Sequence, residues 1–244
     1  YVKWDMNRSI SDWYSTCLPS SRQGEQPHRY ILGLYGLLER LITNFPHILF
    51  EGCSGGGGRF DAGMLYYSPQ IWCSDNTDAH ERTFIQYGTS FFYPISTVGS
   101  HVSAVPNHQT GRITSLDTRG IVAMAGSFGY ELDLSTLTEE EKETMKEQVK
   151  KYRQYQLLIH NGDYYRLTNP HNSRIAAWQW NDNTNGNVLV QGVVFRAVAN
   201  MVRDKIKLMG VDALAKYKLK GTGEIYSGMA LMTGGILIPR TTGD

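Results

Sequence analysis

The chain is poor in features that mark several large classes of protein. It has only three cysteines, at positions 17, 53 and 73, and their odd number and spacing favour neither a disulfide framework nor a metal site. So few thiols fit a reducing, cytoplasmic location. The formal net charge is +1, without blocks of lysine or arginine, which argues against nucleic acid or a membrane surface as the main partner. No apolar run approaches the roughly 18 residues of a membrane span.

What the sequence does contain, up to about residue 160, is an alternation of short apolar runs and helical periodicity. Apolar residues recur at helical spacing between Pro27 and Pro46, and Thr138 is a good N-cap for a helix that reaches about His160. Apolar runs at 48–50 and 70–73 predict buried strands. Strand, polar loop and helix in repeated order are typical of an α/β fold with a parallel sheet.

Beyond Gly162 the pattern changes to short strands and turns. The Asn185-Gly186 pair between two strand-like segments is a strong hairpin signal. We therefore predict two domains, an α/β domain over residues 1–161 and a small antiparallel β domain over residues 162–244.

The first strand presents a candidate catalytic carboxylate. Because side chains alternate along a strand, Lys3, Asp5 and Asn7 share one face, while Trp4 and the other apolar neighbours form the opposite one. An ammonium group beside Asp5 would keep it ionised, as a nucleophilic carboxylate requires. The competing interpretation is an ordinary exposed Lys–Asp pair.

A second acidic group follows the apolar run at 70–73. Asp78 precedes a helical segment and stands three residues before Glu81, the spacing of a capping box, so we interpret it as an N-cap. Asp75 is left as the carboxyl group that projects at the end of the strand. Catalytic groups gather at the carboxyl ends of parallel strands, and two carboxyl groups there favour acid and nucleophile chemistry on a glycosidic bond.

The glycine-rich segment at 53–61 follows another predicted strand. It lacks the Gly-Lys-Ser/Thr ending of a phosphate-binding loop, so nucleotide binding is not expected. Its four consecutive glycines suit backbone that lies close to another group. Cys53, at its start, is either a small buried residue or part of a pocket lining.

These segments together resemble the family 36 glycoside hydrolases, the retaining α-galactosidases, and most closely the bacterial branch that acts on raffinose-type sugars and melibiose. The resemblance covers essentially the whole chain and fades after about residue 170. It is carried by Lys3–Arg8, Cys53–Gly57, Arg59–Asp61, Ser74–Asp78, Tyr93–Ile95, His101–Gln109 and Gly129–Asp133.

The resemblance implies roles for particular residues. Asp5 would be the nucleophile and Asp75 the general acid/base, which must carry a proton when substrate binds. The residues expected to hold the galactose ring, or to lie beside it, are Lys3, Asn7, Cys53, Gly56 and Trp72. The reaction requires neither a metal ion nor an organic cofactor.

The resemblance also implies an architecture. The chain would hold the C-terminal half of a (β/α)8 TIM-type barrel, starting near the end of the fourth strand, followed by a small antiparallel β-sandwich. The isolated chain is then expected to lack a complete active site and to be poorly soluble or inactive, because half a barrel leaves an unpaired sheet edge. The partners implied are a galactoside oligosaccharide and identical subunits, as a tetramer.

Two alternative functions remain open at this point. One is a galactosyl transferase of the raffinose-synthase type, which shares the two-carboxylate chemistry and differs in the acceptor. The other is a non-catalytic carbohydrate-binding module, which the aromatic content of 11% and the β-rich tail favour.

Overall fold

The structure, a computed structural model, describes residues 1–196 and 204–238 and divides into two compact units. Unit 1 contains residues 1–75 and 97–99, and unit 2 contains residues 76–96 and the described residues from 100 onward. The helices are α1 (Gln26–Asn44), α2 (Ala62–Tyr67), α3 (Ala79–Thr89), α4 (Leu116–Ala123), α5 (Glu139–Asn161) and α6 (Gly228–Thr233). The strands are β1 (Val2–Trp4), β2 (Phe50–Gly52), β3 (Gln70–Ile71), β4 (Gly99–Ser103), β5 (Ser127–Glu131), β6 (Asp163–Arg166), β7 (Ile175–Asn181), β8 (Val188–Val194), β9 (Lys205–Ile206), β10 (Lys216–Lys218), β11 (Ile225–Ser227) and β12 (Ile236–Leu237).

Unit 1 is built on the parallel sheet β1-β2-β3. The strand predicted at 48–50 is displaced by two residues to Phe50–Gly52, and Leu49 is 45% exposed, so that prediction was wrong in its bounds. The sequence pattern gave no reason to place Glu51 inside a buried strand. Its carboxyl group is accommodated there because Gln70 and Lys3, on the two neighbouring strands, approach it.

The apolar face of β1 packs on α1 and α2. Trp4 and Met6 lie against the cluster of Leu34, Leu38 and Met64, as the alternation of the first strand predicts. Val2 departs from that expectation, since it is 38% exposed. Burial of the bulky pair on one face leaves Lys3, Asp5 and Asn7 exposed on the other.

The helix predicted from Thr138 is confirmed as α5. The Thr138 hydroxyl accepts a hydrogen bond from the backbone N–H of Glu141, while the Glu141 carboxylate accepts one from the backbone N–H of Thr138. This reciprocal capping box satisfies two backbone donors that the first turn of a helix otherwise leaves unpaired.

The C-terminal region is antiparallel, as predicted. In the sheet β6-β7-β8, the hairpin between β7 and β8 turns at Asn185-Gly186, where Gly186 has a φ of +67°. The pairs β9–β12 and β10–β11 are also antiparallel. Strand β9 contains only Lys205–Ile206, and the chain turns further along at Gly210, which has a φ of +62°. The parts of the predicted β domain at 197–203 and 239–244 lie outside the described residues.

The fold is therefore α/β, with a parallel sheet in unit 1 and antiparallel sheets toward the C-terminus. Among the described helices, none combines the length and the apolar composition needed to cross a membrane.

Candidate functional site

Asp5 follows directly after β1 and is exposed, yet its carboxylate is held by the backbone of a neighbouring loop. Its Oδ1 accepts hydrogen bonds from the N–H groups of Ser54 at 3.0 Å and Gly55 at 3.2 Å. The Gly55 bond contributes most, and with hydrogen bonds from Asn7, Cys53 and Ser54 it holds the pKa of Asp5 below its ordinary value of 3.8, although partial desolvation opposes it. Donors that favour the charged form keep Asp5 anionic.

Lys3 does not take the role that its position beside Asp5 suggests. Its Nζ lies 3.9 Å from Oε1 of Glu51 and 4.7 Å from the centre of the Trp72 ring. The lowered pKa of Asp5 arises from hydrogen bonds with Gly55, Asn7, Cys53 and Ser54. These donors, and not Lys3, keep Asp5 ionised, and the pattern of side chains could not reveal the backbone N–H groups among them.

The loop that holds Asp5 requires glycine. From Ser54 to Gly57, four consecutive residues have positive φ, at +63°, +62°, +74° and +92°. A Cβ on Gly56 would lie 2.6 Å from the backbone nitrogen of Asp75 and 3.2 Å from its Cγ. The predicted close approach of backbone to another group is confirmed, and the group is Asp75 itself. Asp5 and Asp75 thus contact adjacent residues, Gly55 and Gly56, of one turn.

Asp75 is exposed and is fixed by an aromatic side chain. The indole Nε1–H of Trp72 donates to Oδ1 of Asp75 at 3.0 Å. Trp72 is only 3% exposed, so its position is set by packing. The hydrogen bond limits the rotamers of Asp75 and holds its Oδ1 toward the indole of Trp72.

Cys53 is a small buried residue and also lies beside Asp5. The two interpretations suggested by the sequence, a buried residue and a residue that lines the site, therefore both apply. The residue is 5% exposed, and its thiol is hydrogen-bonded to Asp5. Burial raises the pKa of the Cys53 thiol, so the neutral thiol is favoured and a thiolate nucleophile is not.

Asp78 has the structural role that its spacing predicts, in unit 2. It is the N-cap of α3 and accepts hydrogen bonds from the backbone N–H groups of His80 and Glu81. Its Oδ1 also lies 2.7 Å from Nη1 of Arg112. A buried carboxylate with these partners is occupied by structural contacts.

Two contacts of the site were missed by reasoning from the sequence. Arg59 donates to the backbone carbonyl groups of Met6 at 2.5 Å and Arg8 at 3.2 Å, which fixes the segment after Asp5. Glu51, on β2, is in register with Lys3 on β1, and its carboxyl group lies 3.9 Å from the Lys3 ammonium group. An arginine next to a glycine-rich loop was a usable signal, whereas a glutamate inside a buried strand has no distinct pattern.

The arrangement offers an anionic carboxylate and a second, oriented carboxyl group around one glycine turn, with a thiol, an amide and an ammonium group nearby. Within residues 1–196 and 204–238, no group of three or more His, Cys, Asp or Glu side chains is placed to hold a metal ion. The chemistry that these groups can perform is nucleophilic attack assisted by a proton donor.

Comparison with known proteins gives a consistent result along the chain. Residues 1–162 match the Melibiase family, and residues 175–244 match the glycosyl hydrolase family 36 C-terminal domain. The chain is 54% identical over 242 residues to the bifunctional alpha-galactosidase/sucrose kinase AgaSK of Mediterraneibacter gnavus, covering 99% of this chain and 25% of that protein. It is 52% identical over 244 residues to alpha-galactosidase AgaA of Geobacillus stearothermophilus, covering all of this chain and 33% of that protein.

Solved structures agree. The crystal structure of an AgaA variant from G. stearothermophilus in complex with raffinose matches with a TM-score of 0.96 and 51% identity, over 100% of this chain and 34% of that one. The galactosidase domain of AgaSK matches with a TM-score of 0.94 and 54% identity, over 100% of this chain and 33% of that one. The chain therefore spans about a quarter to a third of the length of these relatives.

Proposed function

The chain belongs to the Melibiase family of glycosyl hydrolases, and on that premise we propose that it is the part of a retaining α-galactosidase that carries both catalytic carboxyl groups. The substrates are oligosaccharides with a terminal, non-reducing α-galactosyl unit, such as melibiose and raffinose. The observation that carries the proposal is the pair Asp5 and Asp75, each in contact with the same glycine turn.

Asp5 is the nucleophile and Asp75 the acid/base. Asp5 attacks the anomeric carbon, the bond from that carbon to the glycosidic oxygen breaks, and Asp75 gives its proton to the departing oxygen. Asp75 then takes a proton from water, the water oxygen attacks the same carbon, and Asp5 leaves as a carboxylate. Two displacements retain the configuration, which calls for carboxyl groups about 5–5.5 Å apart, against about 6.5–9.5 Å for inversion.

The spacing of two aspartates in AgaA supports these roles. The AgaA variant in complex with raffinose carries an aspartate-to-asparagine replacement, and the variant in complex with stachyose an aspartate-to-alanine replacement, at positions 70 residues apart. Asp5 and Asp75 are also 70 residues apart. Replacing a catalytic carboxylate is a direct way to keep a substrate intact in a crystal.

The groups around the pair suit a hexose. Lys3, Asn7 and the Cys53 thiol supply polar contacts, and the backbone at Gly56 allows close approach. Trp72 orients Asp75 and backs Lys3. Another AgaA variant has been solved in complex with 1-deoxygalactonojirimycin, a galactose-like ligand, which fits a site shaped for galactose.

The architecture proposed with this function is the C-terminal half of a (β/α)8 barrel over residues 1–161 and an antiparallel β-sandwich over residues 162–244. The parallel order β1-β2-β3, with a further parallel bridge from Ile71 to Val98, supports the barrel half. A homotetramer and a cytoplasmic location stay predictions.

The test uses a chimera in which this chain replaces the matching third of AgaA, referred to below as the AgaA chimera. We expect it to hydrolyse raffinose, with release of α-galactose before mutarotation in proton NMR. Asp5→Asn and Asp75→Asn should lower kcat/KM by at least roughly 10³-fold, since each removes a group essential for one bond change. Asp163→Asn, at an exposed aspartate of β6, is the matched control and should leave hydrolysis unchanged.

A mechanism-based fluorogalactosyl inactivator identifies the nucleophile directly. Mass spectrometry should find the label on the peptide that contains Asp5. A label on another residue, or inversion of the anomeric configuration, overturns the assignment. Galactosyl transfer as the main reaction would favour the transferase, and sugar binding without hydrolysis or labelling would favour the binding module.

A further inference from the structure

Three polar side chains form a row across the parallel sheet of unit 1, beneath the catalytic pair. Lys3 on β1 is in register with Glu51 on β2, and Glu51 is in register with Gln70 on β3. Residues in register on parallel strands project to the same face of the sheet. Asp5 and Cys53, two residues further along their chains, lie on that face as well, so the row forms the layer directly below them.

Glu51 is the centre of the row and is almost inaccessible. Its side chain is 1% exposed, whereas that of Lys3 is 34% exposed. Its Oε2 accepts a hydrogen bond from Nε2 of Gln70 at 3.0 Å, and its Oε1 lies 3.9 Å from Nζ of Lys3. A Cβ on Gly99 would lie 3.3 Å from Oε1, so a larger residue there would crowd the carboxyl group.

A buried carboxyl group of this kind is costly for folding. Replacing a buried ion pair by apolar residues of similar volume is often neutral or stabilising, so stability alone gives little reason for Glu51. The group it approaches is the ammonium group of Lys3, a flexible cation of the candidate site. Lysine has a long stem with many rotamers, so fixed partners beside its ammonium group restrict where that group lies.

Lys3 has those two partners. The Glu51 carboxyl group draws Nζ toward the sheet, and the Trp72 ring faces it at 4.7 Å. Trp72 also orients Asp75 through its Nε1–H. The ammonium group is therefore preorganised beside the two carboxyl groups of the candidate site, and its remaining donors are available to a ligand.

We propose that Glu51, oriented by Gln70, is a positioning residue that fixes the Lys3 ammonium group for contact with a galactose hydroxyl. The inference rests on the proposed function for the identity of the sugar. Glu51 itself does not touch the substrate. Because a hydroxyl contact of this type is made in the bound substrate and in the transition state alike, its loss raises KM and leaves kcat nearly unchanged.

The test is a double-mutant cycle in the AgaA chimera, with raffinose hydrolysis and the Kd for free galactose from calorimetry as readouts. Glu51→Gln keeps the size of the side chain and its ability to bond Gln70 while it removes the charge. We expect KM and the galactose Kd to rise roughly tenfold, the equivalent of about 1.4 kcal/mol. Lys3→Met should do at least as much, and Glu51→Gln should add nothing in a Lys3→Met background.

Two further variants keep the outcome interpretable. Gln70→Leu leaves Glu51 in place but removes its donor, and it should raise KM by about threefold, only when Lys3 is present. Glu143→Gln, at an exposed residue of α5, is the matched control and should change nothing.

Two results would overturn the positioning role. One is a double mutant in which the increases in KM caused by Glu51→Gln and Lys3→Met multiply. The other is a fall in kcat in Glu51→Gln while KM and the galactose Kd stay unchanged. Unchanged KM and Kd in Glu51→Gln would also overturn it, provided that the parent chimera hydrolyses raffinose. That result would leave the proposed function intact. A parent chimera that binds galactose without hydrolysing it counts against the proposed function alone, because the galactose Kd still reports on Lys3.

Discussion

The indole nitrogen of Trp72 donates a hydrogen bond of 3.0 Å to Oδ1 of Asp75. One buried aromatic residue thus fixes the rotamer of an exposed carboxyl group three residues further along the chain. The same ring faces the ammonium group of Lys3 at 4.7 Å. Trp72 links the proposed proton donor to the proposed sugar-binding cation.

Trp72→Phe in the AgaA chimera should weaken proton donation selectively. Phenylalanine keeps a ring under Lys3 and loses the donor to Asp75. We expect kcat/KM for raffinose to fall about tenfold, whereas kcat/KM for a nitrophenyl galactoside, whose leaving group needs little protonation, should change much less. Trp178→Phe removes a similar indole hydrogen bond, to Gln191 in β8, and is the matched control. Equal losses on the two substrates would contradict an orienting role.

Gly56→Ala should damage the turn that both carboxyl groups contact. The residue has a φ of +74°, and its Cβ would lie 2.6 Å from the backbone nitrogen of Asp75. Left-handed strain and overpacking together should destabilise by about 2–4 kcal/mol. Urea denaturation of the AgaA chimera, followed by tryptophan fluorescence, measures the change.

The control for that substitution is Gly36→Ala on the exposed face of α1, where a Cβ meets no atom within 4 Å. Alanine inside a helix should stabilise by about 0.5–1 kcal/mol. Equal changes in unfolding free energy for Gly56→Ala and Gly36→Ala would show that the fold does not depend on the left-handed turn.

We expect the hydrogen bonds to Asp5 to set the acidic limit of activity. Because they hold the folded-state pKa below 3.8, ionised Asp5 stabilises the fold fully above that value, and this contribution is lost as the pH falls through the folded-state pKa. The proposed nucleophile must be ionised to react, so we expect the acidic limb of kcat/KM to fall in the same range.

Asn7→Ala removes one of the bonds that favour the ionised form. The acidic limb in the AgaA chimera should therefore move to higher pH. Asn44→Ala, at the exposed end of α1, should leave the pH profile unchanged. An acidic limb that stays in place in Asn7→Ala would show that Asp5 does not set it.

Arg112→Met should destabilise unit 2 without touching the carboxyl pair. Asp78, the N-cap of α3, has a side chain that is 1% exposed, and Arg112 lies 2.7 Å from it. Loss of a hydrogen bond to a buried charge should cost about 1.5–3 kcal/mol of unfolding free energy. Arg22→Met breaks an exposed pair with Glu25 and should give no measurable change. Equal effects in denaturant titrations would contradict the difference in burial.

Much of the site was predictable because its cues are local. The alternation of Lys3, Asp5 and Asn7, the projecting Asp75 and the glycine run each follow from neighbouring residues. The N-cap role of Asp78 followed from its spacing to Glu81 in the same way. The roles of the individual residues came from resemblance to a family, since spacing alone does not bring two strands together.

The order of strands and helices, the capped ends of α3 and α5, and the need for glycine at the turn could be read from the amino-acid sequence, because they depend on residues close in the chain. Which groups meet depends on how the strands pack together in three dimensions. Backbone N–H groups 49 and 50 residues away, and not the adjacent Lys3, stabilise the charge on Asp5. Glu51 became a buried partner of Lys3 because the parallel register aligned β1, β2 and β3, and register is fixed by packing between strands, which no local pattern encodes.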